Sequence, residues 1–382
     1  MTITNRIGLY IHIPFCVQKC RYCDFLSFPC SDEKVLMEYA DAISIDIAAR
    51  ATEWPYRVVD SVFIGGGTPS LLPPAAISKI LTAVFTELNV DEDVEVTIET
   101  NPATLTEEKL NAYMSGGINR ISIGIQSFDN VLLRLLGRVH DKNDAFNAIR
   151  MTKKAGFDNI NVDLMFAIPG QTLKQWKDTV RQCIFLEPQH ISLYSLQIEE
   201  GTIFNKLVEE GTLTPTSEEL DREMYREALH MLKNAGFNHY EISNAALPGY
   251  ESRHNLKYWS YEEYLGIGPG ASSFIGGRRY SNFTRMTDYL KAIKRGVSPE
   301  DRENSENYTI REEMGVFVFT GLRKTGGFDI NDFEKKFEVD FFDIYDPALI
   351  ERYKGYLEIR GMNLLLTEEG RDISNSIMAE FV

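Results

Sequence analysis

The sequence predicts an α/β protein: an open, incomplete (β/α)6 barrel of the TIM type followed by a small, mostly helical C-terminal domain. Three observations lead there. Six short apolar runs succeed one another between Ile7 and Ser195, each followed by a turn and then by a segment with helical spacing, the alternation expected of parallel β/α units. A closed barrel needs eight such units, so six leave it about three-quarters complete. From about Met286 the composition shifts to charged helical segments.

The elements follow in order. The run 7–13 reads as a buried strand and leads directly into Cys16, Cys20 and Cys23, spaced C-x3-C-x2-C. Val35, Leu36, Tyr39, Ala40, Ile43 and Ile47 give 32–54 a helical period, with Ser31 or Asp32 as its cap. A second strand, 58–64, ends in Gly65-Gly66-Gly67-Thr68-Pro69, and a helix over 73–88 starts on a proline. The third strand, 93–99, runs into Glu99-Thr100-Asn101-Pro102, and the next helix starts at Thr106 and stops at Gly116-Gly117. The fourth, 120–125, ends in Gln126-Ser127-Phe128 before helices over 130–136 and 142–155. The fifth, 159–165, carries Asp163 and precedes a helix over 172–186; the sixth is 190–195. A helix over 218–235 and an extended piece over 240–244 come next. Residues 248–283 read as irregular, with Gly266–Gly270 as a tight loop, since no strand precedes it as a dinucleotide fingerprint requires. Helices are expected over 289–295, 311–320, 330–336 and 347–358, and a strand over 363–366, which gives the end of the chain a winged-helix look. The expected division is a barrel over 1–240, a connecting region over 241–285 and a helical domain over 286–382.

Composition narrows the function. With 382 residues, 43% of them hydrophobic, the chain can bury a large core. A net charge of −16 opposes binding to a phosphate backbone, so no nucleic acid partner is expected. Residues 286–382 hold 13 Lys and Arg against 20 Asp and Glu, and therefore read as a lid or partner surface. The first residues lack an apolar signal region, and no apolar run reaches the length of a membrane span. A reducing, cytoplasmic setting is the expectation.

Three thiolates at the end of one strand suit an iron–sulfur cluster. A four-iron cube takes four ligands, so three leave one iron open to a cofactor. A structural zinc site is the alternative, and it would need a fourth Cys or His close by. Cys30 and Cys183 have no paired partner in sequence and read as core-packing thiols. Taken singly, Gly65–Gly67 is a strand–helix turn, Glu99 and Asp163 are capping or ion-paired acids, and Arg138 is a surface charge. What raises them is their joint position after barrel strands, on the face where such folds assemble active sites.

The segments from Tyr10 to Cys23, Gly65 to Pro69, Ile125 to Phe128, Leu136 to Asp141 and Asp163 to Gln171 together resemble the radical S-adenosylmethionine (SAM) superfamily. Within it they resemble the oxygen-independent coproporphyrinogen III oxidase family, nearly end to end. The resemblance implies that Cys16, Cys20 and Cys23 ligate a [4Fe-4S] cluster and that SAM chelates the open iron. One electron, from an external electron donor through the cluster, would split SAM into methionine and a 5′-deoxyadenosyl radical. It implies SAM contacts at Tyr10, Tyr22, Gly66, Gly67, Thr68, Glu99, Gln126, Arg138 and Asp163, the glycines allowing close backbone approach and Arg138 suiting a carboxylate. Two departures matter. Phe25 stands where the oxidase pattern has a fourth cysteine, and the loop begins at residue 16 with no longer segment before it. Both point to the heme-chaperone subgroup, which His254-Asn255-Leu256-Lys257-Tyr258-Trp259 also resembles. That implies heme as bound cargo, with His254 as axial imidazole and Tyr258 and Trp259 stacking on the porphyrin, although a histidine among aromatics alone reads as a structural group. The implied partners are heme-acceptor proteins, including membrane respiratory enzymes, with a peripheral membrane encounter; a homodimer is left open. The alternative reading is the oxidase itself, converting two propionates of coproporphyrinogen III to vinyl groups.

Overall fold

The computed structural model describes residues 5–303 and 308–382. Six strands, β1 (Arg6–Ile13), β2 (Val58–Gly66), β3 (Asn89–Thr100), β4 (Arg120–Gln126), β5 (Ile160–Phe166) and β6 (His190–Ser195), pair in parallel and in chain order. Between and after them run α1 (Glu33–Glu53), α2 (Pro74–Glu87), α3 (Glu107–Ser115), α4 (Asn130–Leu136), α5 (Lys142–Lys154), α6 (Leu173–Phe185), α7 (Ile203–Glu209) and α8 (Glu218–Asn234). Their starts follow local chemistry: the side chains of Asp32, Thr106, Asp129, Asp141 and Thr172 accept from backbone N–H groups of the first turn. Strand β3 starts earlier than its sequence suggests, taking in Asn89, Val90, Asp91 and Glu92, because Val58 and Val59 of β2 pair with Asn89 and Val90.

Along β2 to β6 the two faces differ. Val62, Ile64, Val96, Ile98, Ile121, Ile123, Val162, Leu164, Ile191 and Leu193 are buried in the main apolar core. The alternate positions carry Ser61, Glu95, Thr97, Glu99, Arg120, Ser122, Asn161, Asp163, His190 and Ser192. By the two-residue period of a strand these face the barrel interior. Trp176 of α6, fully buried, donates its indole N–H to the Met224 carbonyl of α8 at 2.7 Å and ties two of the outer helices together.

The stretch read as irregular, 248–283, is ordered. It holds α9 (Arg253–Trp259) and three strands. On the far edge, β7 (Asn238–Glu241) and β8 (Asn244–Ala246) add antiparallel to β6. At the near edge, β9 (Tyr264–Ile267) lies parallel to β1, followed by antiparallel β10 (Ser272–Ile275) and β11 (Arg278–Ser281). Gly266 lies inside β9 rather than in a loop. Four-residue strands between glycines are too short to show a period, and pairing with β1 supplies what local sequence does not.

The last third packs against the barrel through α10 (Met286–Lys294), where the Tyr289 hydroxyl bonds to Asp46 of α1 at 2.7 Å. Beyond it, α11 (Ile310–Gly321), α12 (Ile330–Phe337), α13 (Phe341–Ile344) and α14 (Pro347–Arg352) surround an aromatic core of Phe317, Phe333, Phe341 and Tyr345. A small antiparallel sheet of β12 (Phe328–Asp329), β13 (Leu357–Arg360) and β14 (Asn363–Leu366) completes it, in the order β12-β14-β13. The helix expected over 347–358 ends at Arg352. Gly355, at φ +92°, turns the chain into β13, a conformation that side-chain-bearing residues avoid. The Arg323 guanidinium lies over the Trp259 ring at 4.3 Å, and the Ile242 and Thr325 N–H groups bond across the junction to the Arg323 and Tyr240 carbonyls. Among the described residues no helix is long and apolar enough to cross a membrane.

Candidate cluster and cofactor site

The cysteine loop is closed at its base by a short parallel pair, Phe15–Cys16 with Phe28–Pro29. Phe28 donates to the Pro14 carbonyl at 2.7 Å and Cys30 to that of Cys16 at 3.0 Å. Its outer side is clamped by backbone bonds from Arg21 to Leu136, at the end of α4, and from Phe204 of α7 to Arg21, both 3.0 Å. All three thiols are free; Cys16 is buried and Cys20 and Cys23 are half-buried. Phe25 is 62% exposed. Cys183 is fully buried in the core and Cys30 packs against it.

The donors around these sulfurs suit thiolates. The Thr68 hydroxyl donates to Cys16 Sγ and the Arg138 Nη1 to Cys20 Sγ, each at 3.5 Å. Burial pushes the Cys23 thiol up to about 11, so without a metal it keeps its proton, which a bound metal would displace. Among the described residues no three His, Cys, Asp or Glu side chains converge on a point that could hold a single metal ion. Thiolates that each bind a different iron of a cube need no common point, so this donor set fits a cluster.

Around the loop the strand ends form one rim. Gly66 has φ +111°, and a Cβ there would lie 2.5 Å from the His12 ring; a Cβ on Gly67 would lie 2.7 Å from the Phe15 carbonyl oxygen. The N–H groups of Gly67 and Thr68 bond to the Ile13 and Phe15 carbonyls at 2.8 and 2.7 Å. These glycines therefore let the end of β2 meet the chain entering the cysteine loop. His12 Nε2 donates to the Leu26 carbonyl, which only accepts, so its Nδ1 receives the Tyr10 hydroxyl; both distances are 2.9 Å. Burial lowers the His12 pKa and keeps this ring neutral.

Gln126, at φ +66°, sits at a bulge between β4 and β5, a strained backbone of the kind functional sites retain. Its amide and the Arg138 guanidinium both close over Gly124. Arg138 also bonds to the Gly124 carbonyl. Burial disfavours its charge, but Tyr22 and Cys20 beside it outweigh that and hold it protonated. Across the mouth, Glu99 Oε2 accepts from the Gly66 N–H at 3.0 Å, while Asp163 accepts from Ser122 at 3.0 Å and Asn161 at 2.8 Å. Burial raises both carboxyls, and the neighbouring Asp163 adds to the rise of Glu99, to about 8. Between the ordinary glutamate range and about pH 8 the folded chain then keeps a proton on Glu99 that the unfolded chain has lost. Stability should fall across that window as pH rises, and Glu99→Gln should flatten the fall in melting temperature. Parallel pH profiles of the two proteins would refute the assignment.

The structure gives His254 a different place. It enters the barrel from the end opposite the cysteine loop, where the Glu95 carboxylate accepts from the Arg253 and His254 N–H groups, each at 3.1 Å. Its Nδ1 meets the Ser61 hydroxyl and its Nε2 the Tyr258 hydroxyl, both at 2.9 Å, and its ring stacks on Phe63 at 5.3 Å. A Cβ on Gly8 would lie 3.1 Å from this ring. Burial, then Lys257 and Arg120, push its pKa down to about 3. Neither ring nitrogen is open to iron in this conformation, and Trp259 is engaged by Arg323. His254→Ala should therefore cost about 2–4 kcal/mol in urea unfolding, by leaving two hydroxyls unpartnered around a cavity. An unchanged midpoint would refute this packing role.

Motif reading missed the interior network of Ser122, Asn161 and His190, in which His190 Nδ1 bonds to Asn161 at 2.6 Å and Nε2 to Tyr240 at 2.8 Å. A signal was present. Strands of a covered parallel sheet are usually continuously apolar, yet β3 to β6 alternate polar with apolar, which marks a polar lumen.

Comparison with known proteins shows the family to which the chain belongs. The Radical SAM superfamily model matches residues 10–183, and the HemN C-terminal domain model matches residues 309–373. A heme chaperone HemW of Lactococcus lactis is 36% identical over 376 residues, covering 98% of this chain and 96% of that one. The chain belongs to the HemW family of radical SAM proteins. The HemW of Escherichia coli is 39% identical over 382 residues, with 98% of each chain covered. Among solved structures, the Escherichia coli coproporphyrinogen III oxidase HemN, a radical SAM enzyme, superposes with a TM-score of 0.86 at 23% identity, over 100% of this chain and 91% of that one. That likeness shows a shared fold. Membership in the superfamily implies a [4Fe-4S] cluster and SAM.

Proposed function

We propose that this protein is a heme chaperone that carries a [4Fe-4S] cluster on Cys16, Cys20 and Cys23 and passes heme to acceptor proteins. The observation that carries the reading is similarity along nearly the whole chain, both domains included, to relatives named heme chaperones. The exposed Phe25 where the oxidase pattern has a further thiol supports it. SAM would be held by Tyr10, Gly66, Gly67, Thr68, Glu99, Gln126 and Asp163, with Tyr22 and Arg138 at the cluster. The cluster, when bound, supplies the electron that cleaves SAM. This chain's residues orient the cofactors: Thr68 and Arg138 donate to the sulfurs, and the Tyr10–His12–Leu26 chain locks the strand beside them.

The second reading, a coproporphyrinogen III oxidase, is favoured by the fold alone. One anaerobic comparison separates them. Reconstituted protein is titrated with hemin, and separately given SAM, a reductant and coproporphyrinogen III. Stoichiometric hemin uptake without protoporphyrinogen supports the chaperone; repeated turnover to protoporphyrinogen overturns it.

A further inference from the structure

Arg120 opens β4 on the face that lines the barrel lumen and is only 2% exposed. Its Nε, sealed from solvent, has no hydrogen-bond partner among the described residues. The carboxylates of the same lumen are engaged elsewhere. Glu95 accepts from the Arg253 and His254 N–H groups, Glu99 from the Gly66 N–H, and Asp163 from Ser122 and Asn161. Burying a guanidinium without a close partner is costly, so a fold that keeps one must hold it by the field of charges around it.

Strand register shows which charges those are. Arg120 stands opposite Thr97 of β3, and the next lumen position of β4, Ser122, stands opposite Glu99 of β3 and Asn161 of β5. Two residues of strand rise about 7 Å, a step that a long side chain can span. Glu99 therefore lies one layer above Arg120, and Asp163 is drawn toward that layer by its bonds to Ser122 and Asn161. Burial raises both carboxyls, and Arg120 opposes the rise in each. The other groups facing them do not supply this charge. Burial keeps the Tyr10 and Tyr194 hydroxyls protonated and the His190 and His254 rings neutral. Glu95 and Glu241 are acids, and Arg138 is bound to Cys20 and the Gly124 carbonyl.

We propose that Arg120 is a positioning residue of the cofactor site: from the layer beneath, it lowers the cost of presenting Glu99 and Asp163 to SAM as carboxylates. The proposal rests on the reading that SAM sits against these two acids. SAM brings a sulfonium and an ammonium against one carboxylate, so it arrives as a cation. Glu99, protonated near neutral pH in the SAM-free chain, gives its proton to solvent as SAM binds. Arg120 acts through the two acids and not by contact with SAM.

The test compares reconstituted wild type with Arg120→Met and Arg120→Lys, by SAM calorimetry and by melting without SAM, across a range of pH. The titration of SAM itself is common to the three proteins, so the ratio of their affinities reads the protein alone. Arg120→Met should weaken SAM by about tenfold near pH 7 and by clearly less near pH 9, since one pKa unit is a tenfold change. Without SAM, a proton held more firmly on Glu99 is lost at higher pH. The fall in melting temperature that ends near pH 8 in wild type should then extend beyond it in Arg120→Met. Arg120→Lys keeps the charge and should hold both profiles at their wild-type positions. Were Arg120 only a filler of the lumen, both variants would weaken SAM by the same factor at every pH and leave the melting profile in place. That result overturns the proposal and leaves the SAM reading standing, whereas failure of wild type to bind SAM would remove both. Should Arg120→Met not fold, Arg120→Gln takes its place and is judged by the same two profiles.

Discussion

Replacing any one of Cys16, Cys20 and Cys23 by Ala should abolish the visible absorption of anaerobically reconstituted protein and reduce bound iron to background. Each thiolate would bind a different iron of the cluster, and two thiolates would not retain it. The loop is held by its backbone, through Cys30 to Cys16 at the base and Arg21 to Leu136 outside. The substitutions should therefore leave the melting temperature of cluster-free protein nearly unchanged. Cys30→Ala and Cys183→Ala are the controls, and both should keep the cluster, since Cys183 is fully buried in the core and Cys30 packs against it. Undiminished iron and absorbance in Cys20→Ala would refute the ligand set.

Gly66→Ala should be the most damaging single methyl on the rim. At φ +111° any side chain is strained, at a cost of about 1–3 kcal/mol. The added Cβ would also overlap the His12 ring at 2.5 Å. That ring cannot swing away without breaking its bonds to Tyr10 and Leu26, so the strain passes into β1 and the cysteine loop. The expected result is SAM binding weakened by at least about tenfold in calorimetry, together with a lower melting temperature. Wild-type SAM affinity with a full cluster would separate this glycine from the cofactor site.

What the sequence made legible was chemistry carried by neighbours in the chain. The three cysteines lie within eight residues, and helix starts declare themselves through Asp32, Thr106 and Thr172 because a cap acts two or three residues away. The rim loops could be found because parallel β/α order puts them all at one end. His254 shows the limit. Its fate is decided by Ser61, Glu95 and Phe63, which are 159 to 193 positions away, and no local pattern announces them. Strand β9 was equally hidden, since four residues acquire a strand's identity only by lying beside β1. Gly66 and Gly67 stood out as a motif, but their neighbours, His12 and the Phe15 carbonyl, are set by tertiary structure.

The hairpins added to each side of the six-stranded sheet bear on how the protein survives in a crowded solution. An unclosed barrel exposes two ribbons of unpaired amides, each a template for joining another molecule. Here one outermost strand is only four residues long and bears Arg278 and Arg279, and the other, β7, is stitched by Tyr240 to Thr325 of the C-terminal domain. The C-terminal domain thus covers one edge of the sheet, and shortening the chain before Thr325 would leave the backbone of β7 open to pairing with another molecule.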